Sequence, residues 1–415
     1  MLLLSNIRQL LTCGTEHETF KKGKVMQEVG LLENAYLLIN TEAGIISDFG
    51  KMSNFTFSEK ITETIDCNDR VVLPGLVDSH THLVFAQPRT TEFVLRLKGA
   101  TYEEIAQAGG GILNSAQKMA SASEEELLEG ALLRCKEVLK TGTVALEIKS
   151  GYGLTLESEL KMLRVAQKLK SLVPQTIKTT FLGAHAIPTI YKSNREKYIE
   201  LICQEMIPQV AQERLAEYVD VFCETGFFTA AETERILTVG ADYGLKGRVH
   251  ANELDYSGGV QVGVKCKAVS VDHLECVGQA ETDALLSSDT VPTVLPATAF
   301  FLKIPYAPAR MMIDAGLGIS LASDYNPGTC PTGNLPFIMA LVCTQMKLLP
   351  EEAIIATTLN ASKALELSDT HGKIVVGKPA HVIITEKMDS FYELPYFFAT
   401  PKIAHTIING KIATA

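Results

Sequence analysis

Eight short β-rich runs, separated by longer amphipathic segments, fill the middle of this chain, and that alternation restricts it to very few folds. The runs are VDSHTH (77–82), VALEIK (144–149), TIKTTFLG (176–183), YVDVFCE (218–224), LKGRVH (245–250), AVSVDH (268–273), TVPTVL (290–295) and GISLASD (318–324). Strand alternating with helix implies a parallel sheet, and eight repeats imply that the sheet closes. The fold class expected is therefore α/β, a (β/α)8 TIM barrel.

The helical segments carry their own punctuation. Ser123 to Glu126 and Thr229 to Glu232 have capping-box spacing, and Gly142 and Gly244 end those segments where a left-handed residue is wanted. The piece from 83 to 143 is too long for one crossover helix, and its GGG at 109–111 reads as a mobile loop. Both ends of the chain differ from the middle, with strand-like runs (AYLLIN, KIVVG, HVIIT, HTIING) broken by turns and no helical period. Residues 1–70 and 372–415 are thus expected to pair into a smaller composite β-sandwich domain beside a barrel of 71–371.

Charge and cysteine content narrow the partners. With 415 residues, 46% of them hydrophobic, the chain can bury a large core. A formal charge of −10 and no Lys/Arg-rich run argue against nucleic acid or an anionic membrane as partner, leaving a small-molecule substrate. The nine cysteines form no CxxC pair, so neither a disulfide framework nor a cysteine zinc site is indicated, which fits a reducing compartment. The start MLLLSNIRQLL lacks a basic n-region and no stretch reaches membrane-spanning length, so the expected location is the cytoplasm.

Chemistry concentrates at the C-terminal ends of the expected strands, where a barrel of this kind places its active site. His80, His82, His185, His250, His273 and Asp324 all fall there. An isolated HxH is as ordinary as any buried or surface pair. Here alternation sends His80 and His82 to one side, and His250 and Asp324 can complete a set of three imidazoles and a carboxylate. Such a set suits zinc, iron or another borderline ion and leaves a position for water. Glu253, three residues after His250, is placed to exchange the proton of that water. His273 can bond a carbonyl oxygen as it gains charge, whereas Asp272 should by alternation point away from the mouth and be structural. Arg89, Tyr152 and His185 suit an anionic group on the substrate, Arg89 most of all, although a salt bridge to Glu92 would explain it equally well. Lys149 could be carboxylated to bridge two metals, but the SGYG loop follows it and a one-metal site is preferred. His17, His371 and His405 are expected to be surface or core residues of the termini.

Taken in order, PGLVDSHTHLVFAQPRTTEF, AGGGI, EIKSGYG, FLGAHAIP, DVFCETG, HANE, VDHLE, LPATAFFL, YAPAR and SDYNPGTCP resemble the imidazolonepropionase family of the amidohydrolase superfamily across the whole barrel. The resemblance implies hydrolysis of the cyclic amide of 4-imidazolone-5-propanoate to N-formimino-L-glutamate in histidine degradation. It implies His80, His82, His250 and Asp324 as ligands of one zinc or iron ion, di- or trivalent, per chain. It further implies Arg89, Tyr152, His185, Glu253, Asn326, Gly328 and Thr329 as substrate-binding residues, Glu253, His273 and Asp324 as catalytic ones, and a homodimer. One departure is His381 in KPAHVIIT, where the superfamily usually has Asp. Two other functions share parts of this pattern. A purine or pyrimidine deaminase would use the same HxH, HxxE and Asp but has no need of a carboxylate grip at Arg89. A non-catalytic scaffold on the same fold would be expected to lack ligands, and none is missing.

Overall fold

The computed structural model of the chain describes residues 1–56, 60–100, 104 and 110–413. The N-terminal segment supplies β1 (Leu2–Leu11), β2 (Leu31–Asn40), β3 (Ile45–Lys51), β4 (Glu63–Asp66) and β5 (Arg70–Pro74). After Gly75 the chain enters a second sheet of β6 (Leu76–Asp78), β7 (Thr143–Lys149), β8 (Thr176–Ala184), β9 (Tyr218–Cys223), β10 (Lys246–Ala251), β11 (Ser270–His273), β12 (Val291–Val294) and β13 (Ser320–Leu321). It then returns to the first sheet with β14 (Val382–Lys387), β15 (Ile403–Ile408) and β16 (Lys411–Ile412).

All eight expected runs are strands of the second sheet, paired in parallel in sequence order from β6 to β13. Between its first and last strands the closure comes just beyond their ends. Thr81 bridges Tyr325 in parallel, Asp324 N donates to His80 O at 3.0 Å, and His82 N donates to Tyr325 O at 2.9 Å. The barrel is thus completed by the backbone of the residues expected to hold a metal. The sequence runs drawn to 82 and 324 overstate the outer strands: β6 stops at Asp78 and β13 at Leu321, so these side chains stand on the rim.

The first sheet is built from both termini in the order β16-β15-β14-β5-β1-β2-β3, with β4 beside β1. Period-two patterning decides its two faces. Val72, Val382 and Ile384 join Leu4, Leu37 and Ile407 in the sheet's own core, while Val71, Leu73 and Ile383 point the other way into the main barrel core. One sheet therefore closes a small β-sandwich and packs on the barrel at the same time.

Helices Glu124–Lys140 and Ala230–Asp242 begin at Ser123 and Thr229 with reciprocal capping boxes, each worth about 1 kcal/mol. Gly142 and Gly244 follow them at φ +93° and +81°. The long 83–143 stretch contains helices Thr90–Leu97 and Ile112–Ser121 as well as Glu124–Lys140. Of the glycine triplet, 109 lies outside the described residues. Gly111 is at φ +73° and its N–H donates to Glu92 Oε1 at 3.0 Å. Among the described residues no helix is long and apolar enough to cross a membrane.

Candidate active site

Three imidazoles meet at the rim. The nitrogens that His80, His82 and His250 can offer lie within 4.8 Å of one another, and Asp324 Oδ1 is 3.6 Å from Nε2 of both His80 and His82. His82 Nε2 and His250 Nε2 are 3.3 Å apart, and His80 Nε2 is buried with no hydrogen-bond partner. Burial, reinforced by the neighbouring cations and imidazoles, holds His80 and His82 well below the ordinary histidine pKa, so they are neutral. Asp324 stands at φ +57°, with Oδ2 accepting from Thr298 Oγ1 at 2.5 Å.

Below the imidazoles lies a layer of buried charge that the sequence reading did not foresee. His80 Nδ1 donates to Asp272 Oδ2 at 2.7 Å, and His250 Nδ1 lies 3.0 Å from Asp220 Oδ2. The Asp272 carboxylate holds the proton on His80 Nδ1 and leaves a bare, unpartnered Nε2 lone pair, the tautomer a metal ligand requires. Asp272 therefore does not point away from the site. Strict alternation fails at this strand end because His273 is at φ +87° and Leu274 at φ +72°, so Asp272 and His273 both serve the mouth.

Lys149 Nζ bonds Asp220 at 2.7 Å and Glu147 at 2.9 Å, and Arg248 Nε lies 3.0 Å from Glu147 with Nη2 3.4 Å from Asp272. All five side chains are fully buried. Burial opposes the charge of Lys149, yet Asp220 and Glu147 raise its pKa above the ordinary lysine value. Carboxylation needs a neutral amine, so this lysine is not set up to bridge two metals. The available signal was a carboxylate in the middle of a buried strand, as in YVDVFC, since an acid there is costly unless paired.

Glu253 follows Asn252, which is at φ +56° and donates from Nδ2 to Cys276 O at 2.9 Å, so the HANE turn is pinned to the end of β11. Glu253 Oε2 and Glu275 Oε2 each lie 3.8 Å from His273 Nδ1. Burial, with Asp324 and Glu224 nearby, pushes the Glu253 carboxyl up to about 8, and burial beside Glu253 raises Glu275 well above the carboxylate range. Asp324 is pushed up to about 6 by burial. Glu275 was not singled out as a site residue from the sequence.

The anion-binding candidates line the same cavity, beside the imidazoles. Arg89 is 7% exposed, with its guanidinium 6.0 Å from the Tyr152 ring centroid and 3.9 Å from Glu92 Oε2. Glu92 Oε1 is occupied by Gly111 N and Asn114 Nδ2 at 3.0 and 2.9 Å, so Glu92 also serves the start of the helix Ile112–Ser121. His185 is stacked on His82 at 5.3 Å, and burial holds its pKa near 3. Its Nδ1 meets Gly151 O at 2.9 Å, which leaves Nε2 as an acceptor. In the NPGT turn, Asn326 Oδ1 accepts from Gly328 N and Thr329 N at 2.8 and 2.7 Å.

These walls enclose a cavity of about 600 Å³ reached by His82, His250, Asp324, Glu253, Arg89 and Tyr152. His185, His273, Asn326 and Thr329 line it too, and Phe222, Phe301 and Lys303 extend it beyond the residues expected from sequence. The donor set fits a metal: His80 and His82 held neutral, His80 Nδ1 engaged by Asp272 with its buried Nε2 unpartnered, His250 beside them, and the Asp324 carboxylate within reach.

The chain matches the Amidohydrolase family over residues 71–413. An imidazolonepropionase of Flavobacterium johnsoniae is 50% identical over 99% of both chains, and one of Flavobacterium psychrophilum is 48% identical over 99% of both. Among solved structures, guanine deaminase of E. coli superposes with TM-score 0.76 at 14% identity, covering 99% of this chain and 98% of that one. An atrazine chlorohydrolase of Arthrobacter aurescens in complex with zinc gives TM-score 0.76 at 15% identity, over 100% of this chain and 95% of that one. The structural likenesses establish the shared barrel, and the full-length sequence identity goes further: the chain belongs to the imidazolonepropionase family of the amidohydrolases.

Proposed function

We propose that this chain hydrolyses the ring amide of 4-imidazolone-5-propanoate to N-formimino-L-glutamate, a step of histidine degradation. The observation that carries the reading is one cavity lined both by His82, His250 and Asp324 of the three-imidazole, one-carboxylate cluster and by the buried Arg89. The deaminase alternative has no need of a carboxylate grip at the buried Arg89. The scaffold alternative has no use for an intact ligand set.

His80, His82, His250 and Asp324 would hold one zinc or iron ion. When bound, the ion lowers the pKa of water toward neutrality and polarises a carbonyl oxygen. Arg89 grips the propionate with charge-assisted hydrogen bonds, and Tyr152, His185, Asn326 and Thr329 complete the wall around it, while Gly328 lies against the Arg89 guanidinium and not on the cavity lining. This places the ring over the imidazoles. Asp324 takes the proton of the attacking water. Glu253 orients that water and, with its raised pKa, keeps a proton at neutral pH to deliver to the leaving ring nitrogen. His273, which lines the same cavity, donates from a ring N–H to the developing oxyanion. The family resemblance supports a cytoplasmic homodimer. The test is loss of imidazolone absorbance with purified protein and identification of N-formimino-L-glutamate. Ammonia release from purines or pyrimidines, without imidazolone turnover, would replace this reading with the deaminase one.

A further inference from the structure

We infer that Gly328 is a positioning residue for Arg89: its missing side chain lets the guanidinium lie against the NPGT turn, and that turn ties the carboxylate grip to Asp324. The inference rests on the reading of Arg89 as the carboxylate-binding group.

Gly328 has no backbone reason to be glycine, since it is absent from the residues in the left-handed region. The reason is spatial. A Cβ added to Gly328 would overlap Arg89 Cζ, Nη2 and Nε, and no other residue supplies any of the three nearest atoms. The guanidinium plane therefore rests where a side chain at 328 would stand. The backbone of Arg89 is held by the same turn, its N–H donating to Pro327 O at 2.7 Å. Arg89 is thus fixed at both ends by residues 327 and 328.

The turn is rigid because Asn326 is fully engaged inside it. Besides accepting from the N–H groups of Gly328 and Thr329, Asn326 donates from Nδ2 to Asp324 O at 2.7 Å and to Thr329 Oγ1 at 2.8 Å. Asp324 N in turn donates to His80 O across the barrel seam. One short run, 324–329, thereby sets where the carboxylate-binding guanidinium stands relative to the three-imidazole cluster. A substrate must span that gap, so the turn selects for the length of the acid side chain.

The experiment compares wild type, Gly328→Ala, Arg89→Met and the double variant, measuring KM and kcat for 4-imidazolone-5-propanoate, metal content and melting temperature. Because the overlapping atoms are the far end of a flexible side chain, Gly328→Ala folds and displaces Arg89. Its KM rises about tenfold, with metal content unchanged, as expected for loss of one charge-assisted contact. In the double variant the alanine adds nothing to the KM of Arg89→Met, because its target is gone. If Gly328→Ala alone fails to fold while the double variant folds, the clash with Arg89 is likewise confirmed. Multiplicative KM effects, a Gly328→Ala KM within about twofold of wild type, loss of metal, or unfolding of both alanine variants would each overturn the inference. An unchanged KM in Arg89→Met would instead bring down the carboxylate reading on which it rests.

Discussion

Asp272 offers the most discriminating test of how the imidazole cluster is held. Its Oδ2 accepts from His80 Nδ1 at 2.7 Å and lies 3.4 Å from Arg248 Nη2, while its Oδ1 is buried without a partner. Asn at this position can keep its carbonyl oxygen where Oδ2 stands, so the hydrogen bond survives and only its charge is lost. A hydrogen bond to a charged group is worth about 1.5–3 kcal/mol against about 0.5–1.5 for a neutral one. The difference, about 1–1.5 kcal/mol, corresponds to about tenfold in metal affinity. Asp272→Ala removes the acceptor itself, frees the His80 ring and leaves Arg248 short of a partner, so its loss approaches the about 100-fold upper range for such outer partners. The fold should tolerate the neutral substitution. Glu147, Asp220 and Asp272 outnumber Lys149 and Arg248 by three to two, so Asp272→Asn leaves two acids facing two bases and no unbalanced buried charge. Competition of metal-stripped protein with a chelator for Zn²⁺, with melting curves alongside, measures both quantities. Affinity within about twofold of wild type for Asp272→Asn, or an alanine loss no larger than the asparagine loss, refutes the tautomer argument.

Three further outcomes follow from the same structure. Glu253→Gln should keep fold and metal yet lower kcat by about 10²- to 10⁴-fold, whereas Asp324→Asn should lose metal as well as rate; single-turnover kinetics and elemental analysis separate them. Elemental analysis of wild type should return about one ion per chain, because the paired Lys149 provides no bridge to a second. The β-sandwich should weaken in acid: His371 and His381 stack at 4.2 Å, and burial depresses their pKa to about 3 and about 4, below the value of about 6.5 for free imidazole. The unfolded chain then binds more protons in this window, so stability falls as pH drops through about 6.5 and continues falling toward about 4. Asn409 N–H donates to His381 Nδ1 at 3.4 Å, a bond that protonation abolishes, so His381→Asn should flatten the pH dependence of the melting temperature between pH 7.5 and 5.

His381 was legible in the sequence only as a departure from pattern; its stacking on His371 arises because Gly377 and Ala380 bond back to Ile46 and Gly44, which packs the C-terminal segment against the N-terminal sheet. The barrel was legible throughout, since each strand and helix writes its period and caps into consecutive residues, as Ser123 and Thr229 do. The rim positions of His80, His82, His250 and Asp324 were legible for the same reason: they follow β-rich runs whose ends all face one mouth. What lay beneath them was not. Alternation put Asp272 on the wrong side because it assumes extended backbone, and the positive φ at His273 and Leu274 breaks that assumption where the strand meets the site. The pairing of Lys149 with Asp220 joins residues 71 apart, and that of Arg248 with Glu147 crosses the barrel, so no local pattern announces either. Arg89 stood between a salt bridge and a ligand contact on sequence grounds, because what rests on Gly328 is decided by a fold that brings the two ends of the barrel together. Local periodicity determined which elements form and which residues end at the mouth; tertiary closure decided which of them touch, since only closure of the β6–β13 seam fixes distances between residues 239 positions apart.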